Sequence, residues 1–416
     1  MKNIRYIKYF FIIFFSTILF SSNISYGENL EKLNLHSESC ILIEANTGTI
    51  LYDKNANQKM YPASTTKILT AIIAIENCNL NDTVVVQKSA ISSIPAGYAS
   101  AYLSEGEQVT VRDLLQIFLI HSANEAGYVL AEHISGNVSN FVNLMNLKSK
   151  EIGCTNSNFV NPSGIHNDNH YTTAEDLAKI ASYCMRNKTF RSIVSMKKCT
   201  IAPTNKSDSR TYKNTNDLID PSSKYYTPEC VGIKTGYTSE AKNCLIAGFT
   251  KNGLNLISIV LGAPTIQGIS STRCVDSISL CNYGYSNYEM KKIASKGENI
   301  SSTDIKNGSV ETKNLDLILE NDVNLLSKVN SSESTLNISL KENLCAPIKA
   351  NDIVGTVTYT SCGTELTVNL LASHDVKEAI INKSIIILII LIPLIFIIVL
   401  VFIIIKKIKN KDTSNI

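Results

Sequence analysis

In YPASTTKILTAIIAIEN (Tyr61 to Asn77) a polar turn runs into an apolar helix, and a lysine stands at the junction. Pro62 and Ala63 predict entry into a helix near Ser64, so Ser64 and Lys67 share one face of its first turn. Ile68, Leu69, Ile72 and Ile75 recur at helical spacing and should anchor that turn in a core. A serine hydroxyl is a poor nucleophile until a base takes its proton, and a lysine is that base only when already neutral. The ordinary lysine pKa, about 10.4, is too high for this at neutral pH. Burial and a second nearby cation both lower it, so the pair predicts another positive charge brought close by folding.

Outward from this helix the chain alternates between strand-like and helix-like pieces. CILIEANTGTILYDKN (Cys40 to Asn55) reads as two strands around Asn46-Thr47-Gly48, a hairpin signal. VTVRDLLQIFLIHSANEAGYVLAEHI (Val109 to Ile134) reads as helix, interruption at HSAN, helix, with Thr110 and Asp113 as a start signal. CVGIKTGYTSEAKNCLIAGFTKNGLNLISIVLGAP (Cys230 to Pro264) gives strands separated by turns such as Asn252-Gly253, and Thr272 to Tyr283 reads as a closing helix. Together these predict an α/β (α+β) domain over residues 28 to 287, a central antiparallel sheet flanked by helices. Residues 286 to 314 are polar and read as a connector with a first exposed strand. LDLILE, LNISL and GTVTYTSCGTELTVNLL then alternate at period two, so residues 288 to 378 form a small all-β, sandwich-like domain.

The two ends read differently. Lys2, Arg5 and Lys8 precede an apolar run, Tyr9 to Phe20, and the small-residue site Ser25-Tyr26-Gly27, the pattern of a cleaved secretory signal over residues 1 to 27. Residues 385 to 405 are broken only by Pro393 and, as a helix, span roughly 32 Å, enough for a bilayer's hydrocarbon core. Lys406, Lys407, Lys409 and Lys411 follow, so residues 406 to 416 are a basic cytoplasmic tail and the rest lies outside a cell membrane crossed once. Taking the leader's three cations and the tail's net three from the formal +3 leaves −3 for residues 28 to 405. A faintly acidic ectodomain excludes nucleic acid as a partner. The 11 cysteines form no CxxC pair, so neither a zinc clip nor a thioredoxin-like site is indicated; most read as small buried hydrophobes, few of them paired.

Singly, the polar motifs are weak. SxxK recurs at Ser195 and Lys198, and SxN at Ser21 and Ser135; only Lys234-Thr235-Gly236 is unique as KTG. The weight lies in the order Ser64/Lys67, Ser122/Asn124, Lys234/Thr235/Gly236, each in a fitting context of helix start, interhelical turn and strand. This set resembles that of the penicillin-interacting serine enzymes. YPASTTKILTA, VTVRDLL, FVNPSGIHNDNHYTTAEDLAKIA, GIKTGYTSEA and APIKANDIVGTV are similar to segments of low-molecular-mass penicillin-binding proteins that are D-alanyl-D-alanine carboxypeptidases. The resemblance covers about residues 30 to 378 and includes the β domain and the membrane-attached end.

The resemblance implies a β-lactamase/transpeptidase-like catalytic fold and a role for each matching residue. Ser64 would attack the carbonyl between the two D-alanines of a peptidoglycan stem pentapeptide, Lys67 would take its proton, and Ser122 would relay it to the leaving amine. Asn124 would hold Lys67 and the substrate backbone. Lys234 would be the second cation and, with Thr235, would face the substrate carboxylate, while Gly236 permits close approach. Backbone N–H groups of Ser64 and Tyr237 would form the oxyanion hole. β-Lactams would be covalent inhibitors, and no metal or organic cofactor is implied.

Three positions depart from the family's usual pattern: Ala123 in place of glycine or aspartate, Val231 in place of aspartate, and Lys242 in place of glycine. The rival chemistries lack their motifs. His166 and His170 have HxxxH spacing, but no third ligand cluster accompanies them and the zinc D,D-carboxypeptidase pattern SxHxxGxAxD is absent. No GxSxG elbow occurs, and no ExxLN segment of the kind one β-lactamase class uses to discard its acyl group lies between Asn124 and Lys234. A β-lactamase or a penicillin-binding sensor using the same acylation site are the alternatives to a carboxypeptidase.

Overall fold

The structure is a computed structural model that describes residues 33–331, 333–379 and 383–412; the leader expected at residues 1 to 27 lies outside them. The sheet that carries the molecule is built from β1 (Ser39–Glu44), β2 (Ile50–Lys54), β3 (Cys230–Thr238), β4 (Lys242–Lys251) and β5 (Leu254–Ala263). Its order is β2-β1-β5-β4-β3, every neighbouring pair antiparallel, as the sequence predicts. The 40–55 hairpin forms as expected: Gly48 supplies a positive φ of 77°, and the Glu44 carboxylate accepts hydrogen bonds from the backbone N–H groups of Asn46 and Thr47, at 3.0 and 2.7 Å.

Both faces of this sheet are covered, so β1 is buried at every position. Ile41, Ile43, Ile257 and Ile259 point into the core shared with the helices around Tyr61–Asn77. On the other face lies the long closing helix, and an added Cβ at its Gly284 would meet the side chains of Leu256 and Leu42 at 2.6 and 3.0 Å.

The helix anticipated at Ser64 opens with a 3-10 turn, Ala63–Thr66, that feeds α1 (Lys67–Asn77). Its first two turns are buried all round, from Lys67 to Ala74, rather than on one apolar stripe, because α1 is packed between α3 (Asn124–Ser135), α4 (Val138–Glu151) and α5 (Ala174–Arg186). The interrupted helix is α2 (Val111–Gln116) followed by a π-helical turn, Ile117–His121, and then α3. Thr110 caps α2 by accepting from the Asp113 N–H at 3.1 Å. The closing helix α6 runs Thr272–Asn287.

The C-terminal region is all β: β6 (Tyr288–Ala294), β7 (Asn299–Asp304), β8 (Asn314–Leu319), β9 (Val323–Lys328), β10 (Thr335–Leu340), β11 (Ile353–Ser361) and β12 (Thr364–Ala372). A five-stranded sheet, β7-β8-β12-β11-β10, faces the pair β6-β9 across a core of Leu315, Leu325, Val357, Leu370 and similar residues. The 286–314 stretch holds two strands where one was expected. β6 is held by long-range pairing with β9, which a local period does not reveal. The last helix, α7 (Lys383–Asp412), contains Pro393, and its Ile387–Lys407 segment is long and apolar enough to cross a membrane and wholly unburied.

Candidate active site

The first turn of α1, the turn before α3, and β3 meet around a cavity of about 710 Å³ lined by Ser64, Ser122, Asn124, Thr235, Gly236 and Tyr237, among others. Lys67 and Lys234 lie buried behind it, 0% and 1% exposed. All eight residues singled out in the sequence are therefore brought to one place.

Lys67 is held at three points. Its Nζ lies 2.8 Å from Ser64 Oγ, 2.7 Å from Asn124 Oδ1 and 2.8 Å from the Ser163 carbonyl oxygen. Asn124 is fixed in turn, its Nδ2 and backbone N–H both donating to the Ala99 carbonyl at 2.8 and 2.9 Å. Among the described residues no carboxylate lies within ion-pair distance of Lys67 or Lys234. Burial pushes the Lys67 amine well below its ordinary pKa, the positive charge of Lys234 pushes it further, and Glu125 opposes them. Lys234 is itself brought down to about 7, by burial first and by Arg273 second. The second cation that the Ser-Lys pair required is thus in place.

Local backbone geometry explains how a charged pair reaches so crowded a position. Ala63 and Ser122 adopt positive φ, 46° and 69°. For non-glycine residues such backbone is sparsely populated, and here it aims the Ser64 and Ser122 turns into the cavity. Gly236 sits in a tight place: a Cβ would stand 3.1 Å from both the Pro62 carbonyl oxygen and the Ser64 nitrogen, so even an alanine would need its neighbours to give by a few tenths of an ångström. Gly164, at φ 80°, is tighter still, its Cβ falling 1.8 Å from the Ala63 carbonyl oxygen. β3 is the edge strand of its sheet, so its outer side is open to an extended partner.

Several residues of the site carried no motif. Arg273, in the first turn of α6, lines the cavity and donates from Nη1 to the Gly236 carbonyl at 3.3 Å. Thr215 Oγ1 is 2.6 Å from Thr235 Oγ1. Asn161 Oδ1 accepts from the backbone N–H groups of Ser163, Gly164 and Ile165, shaping the loop whose carbonyl reaches Lys67. This loop carries no motif that signals its connection to Lys67, which runs through a backbone carbonyl.

The two histidines are engaged separately. His170 Nδ1 accepts from the Val160 N–H at 3.2 Å and its Nε2 bonds Thr66 Oγ1 at 2.9 Å, while burial takes its pKa to about 3. His166 lines the cavity instead, near Asp168 and Glu240. Of the departures, Ala123 is fully buried, Val231 is the second residue of β3 and lines a different cavity, and Lys242 has φ 55° and pairs with Glu38. All 11 cysteines are free thiols, and Cys345 is the exposed one.

Comparison with known proteins agrees with this geometry. The family described as D-alanyl-D-alanine carboxypeptidase matches residues 27–265. The chain belongs to the D-alanyl-D-alanine carboxypeptidase family. A second match, described as the C-terminal domain of penicillin-binding protein 5, spans residues 288–378. The D-alanyl-D-alanine carboxypeptidase DacF of Bacillus subtilis is 31% identical over 361 residues, 85% of this chain and 89% of that protein. The D-alanyl-D-alanine carboxypeptidase of a Streptomyces strain, K15, is 36% identical over 252 residues, 58% of this chain and 84% of the relative. Among solved structures, penicillin-binding protein 5 from Haemophilus influenzae superposes with a TM-score of 0.64 at 31% identity, covering 83% of this chain and 99% of that one. The Streptomyces K15 DD-transpeptidase does so with a TM-score of 0.56 at 34% identity, covering 61% and 98%. As a family member this chain has the penicillin-binding-protein fold that the ordered motifs implied.

Proposed function

We propose that this protein is a serine-type D-alanyl-D-alanine carboxypeptidase that removes the terminal D-alanine from peptidoglycan stem pentapeptides through an acyl-enzyme on Ser64. The observation that carries this reading is the 2.8 Å contact between Ser64 Oγ and Lys67 Nζ, made by a lysine wholly buried and driven toward its neutral form by burial and by Lys234. Neutral Lys67 accepts the hydroxyl proton as Ser64 Oγ bonds to the carbonyl carbon between the two D-alanines. Backbone N–H groups of Ser64 and Tyr237 hold the oxyanion, an arrangement worth roughly 3 kcal/mol per donor in acyl-transfer enzymes. Breaking of the peptide bond delivers the proton through Ser122 to the departing amine, and water then attacks the ester with Lys67 again as base.

Edge strand β3 supports recognition by strand addition, with Lys234, Thr235 and Arg273 facing the terminal carboxylate. β-Lactams would acylate the same serine. In this reading residues 28 to 287 are the catalytic domain and residues 288 to 378 a pedestal. Residues 385 to 405 are a single membrane anchor that holds the site on the outer face of the cytoplasmic membrane.

The test is incubation of the full chain in detergent with a stem pentapeptide, beside Ser64→Ala. Release of one D-alanine per peptide by the wild type alone is the expected result. A long-lived penicillin adduct without D-alanine release would instead identify a sensor.

A further inference from the structure

The cleft is electrically polar along its length. Its inner end holds Lys67, Lys234 and Arg273. Among the described residues that line it, Glu240 is the one carboxylate, and it stands at the tip of the β3–β4 hairpin, at the opposite end of β3 from Val231. His166 lies beside it, Nδ1 3.8 Å from Glu240 Oε2, and Asp168 flanks the same imidazole at 3.4 Å from Nε2. The Glu240 carboxyl is held below its ordinary pKa, first by its own backbone N–H and with help from Thr238 and His166, against the opposing effect of desolvation, so it is ionised at neutral pH.

The direction of the substrate follows from the reading above, on which this inference rests. The leaving D-alanine lies toward Lys234 and Thr235, and the scissile carbonyl lies at Ser64 and Tyr237. The acyl portion must therefore continue toward Thr238 and Glu240, antiparallel to β3. At about 3.3 Å per extended residue, the residue preceding the D-alanyl-D-alanine pair falls roughly 7 Å beyond the scissile bond, on the side of the cleft that Glu240 lines.

We propose that Glu240 binds a free ammonium on the side chain of the residue preceding the D-alanyl-D-alanine pair. The preferred substrate is then a stem peptide whose diamino acid is not yet cross-linked, carrying a carboxylate at one end of the cleft and an amine at the other. Glu240 is a specificity-determining residue in this account: it touches the substrate but not the reacting atoms. A cross-linked or acylated side chain would lose the charge and with it the ion pair.

The experiment uses the full chain and two tripeptides, Nα-acetyl-L-Lys-D-Ala-D-Ala with its ε-amine free or acetylated, and reads the ratio of their kcat/KM values. For a partly exposed ion pair the wild-type ratio should be about fivefold in favour of the free amine, decreasing with added salt. Glu240→Gln should bring the ratio close to one, and Glu240→Lys should take it below one. A wild-type ratio near one, or an unaltered ratio in Glu240→Gln, overturns the inference. If neither peptide loses D-alanine, the carboxypeptidase reading itself fails. The preference is then read from how the two peptides compete with labelled penicillin for Ser64, where equal competition would again count against Glu240.

Discussion

Gly236 lies so close to Ser64 that a Cβ on the glycine would stand 3.1 Å from the serine's backbone nitrogen. That nitrogen is an oxyanion donor in the proposed mechanism, so the glycine fixes the spacing between the nucleophile's turn and the strand that receives the substrate. Gly236→Ala should leave the fold intact, since the contact demands a shift of only a few tenths of an ångström. Small displacements of reacting groups are nonetheless expensive in rate. Acylation of the variant by a labelled penicillin should fall by about 10- to 100-fold, with an unchanged circular dichroism spectrum. Acylation at the wild-type rate would show that the close approach is not needed.

A second expectation concerns pH. Activity should rise as Lys67 loses its proton, and a flat profile between pH 6 and 10 would contradict its role as base. Lys234, at about 7 in the free protein, supplies the opposite limb. Once it is neutral, it neither attracts the substrate carboxylate nor depresses Lys67. The profile of kcat/KM, which reports free enzyme, should therefore fall above about pH 7. That of kcat should hold to higher pH, because a bound carboxylate favours protonated Lys234. In Lys234→Arg the alkaline limb should vanish, since a guanidinium stays charged.

Local pattern made the three motif elements legible. The Ser64 turn, the HSAN interruption and the KTG strand each announced themselves by period and turn residues, and strand alternation gave the β domain. The site's supports were not legible, because they are long-range contacts between unremarkable residues. Ser163 reaches Lys67 through a backbone carbonyl, which any residue could supply. Arg273 belongs to a helix far along the chain whose own pattern says nothing of β3. The π-helical turn before Ser122 and the all-round burial of α1 likewise depend on what packs against them.

The buried lysine also makes a prediction about stability. Its folded-state pKa lies below the unfolded value, so the unfolded chain binds the extra proton and wild-type stability rises with pH through the interval between the two. The slope from this one group approaches about 1.4 kcal/mol per pH unit. Lys67→Met removes that slope, together with hydrogen bonds to Asn124 and Ser163 whose loss is independent of pH. Thermal melts from pH 6 to 10 should therefore show wild type gaining on the variant as pH rises. A constant difference in Tm would mean that Lys67 keeps its ordinary pKa in the folded protein.

Lys242 stands where the resemblance leads one to expect glycine, and its φ of 55° is one that glycine adopts without strain. A left-handed residue with a Cβ costs roughly 1–2 kcal/mol. The ion pair with Glu38, both side chains nearly half exposed, returns at most about 1 kcal/mol. Lys242→Gly should consequently be neutral to stabilising, with a Tm equal to or a few degrees above wild type. A clear fall in Tm would show that the Glu38 contact outweighs the backbone cost.

Arg273 offers a last and separable prediction. Its guanidinium is tied by Nη1 to the Gly236 carbonyl and faces the cavity near Lys234. It should act on the terminal carboxylate, since that is the charged end of the substrate nearest to it. Arg273→Ala should raise KM for a peptide ending in free D-alanine by about tenfold, the loss of one charge-assisted contact. The same peptide ending in D-alaninamide has no carboxylate to lose and should be affected much less. Removing this cation also relieves the pressure on Lys234, so the alkaline limb of kcat/KM should move to higher pH. Equal losses on the acid and the amide, with no movement of that limb, would assign Arg273 to holding β3 in place and not to the substrate.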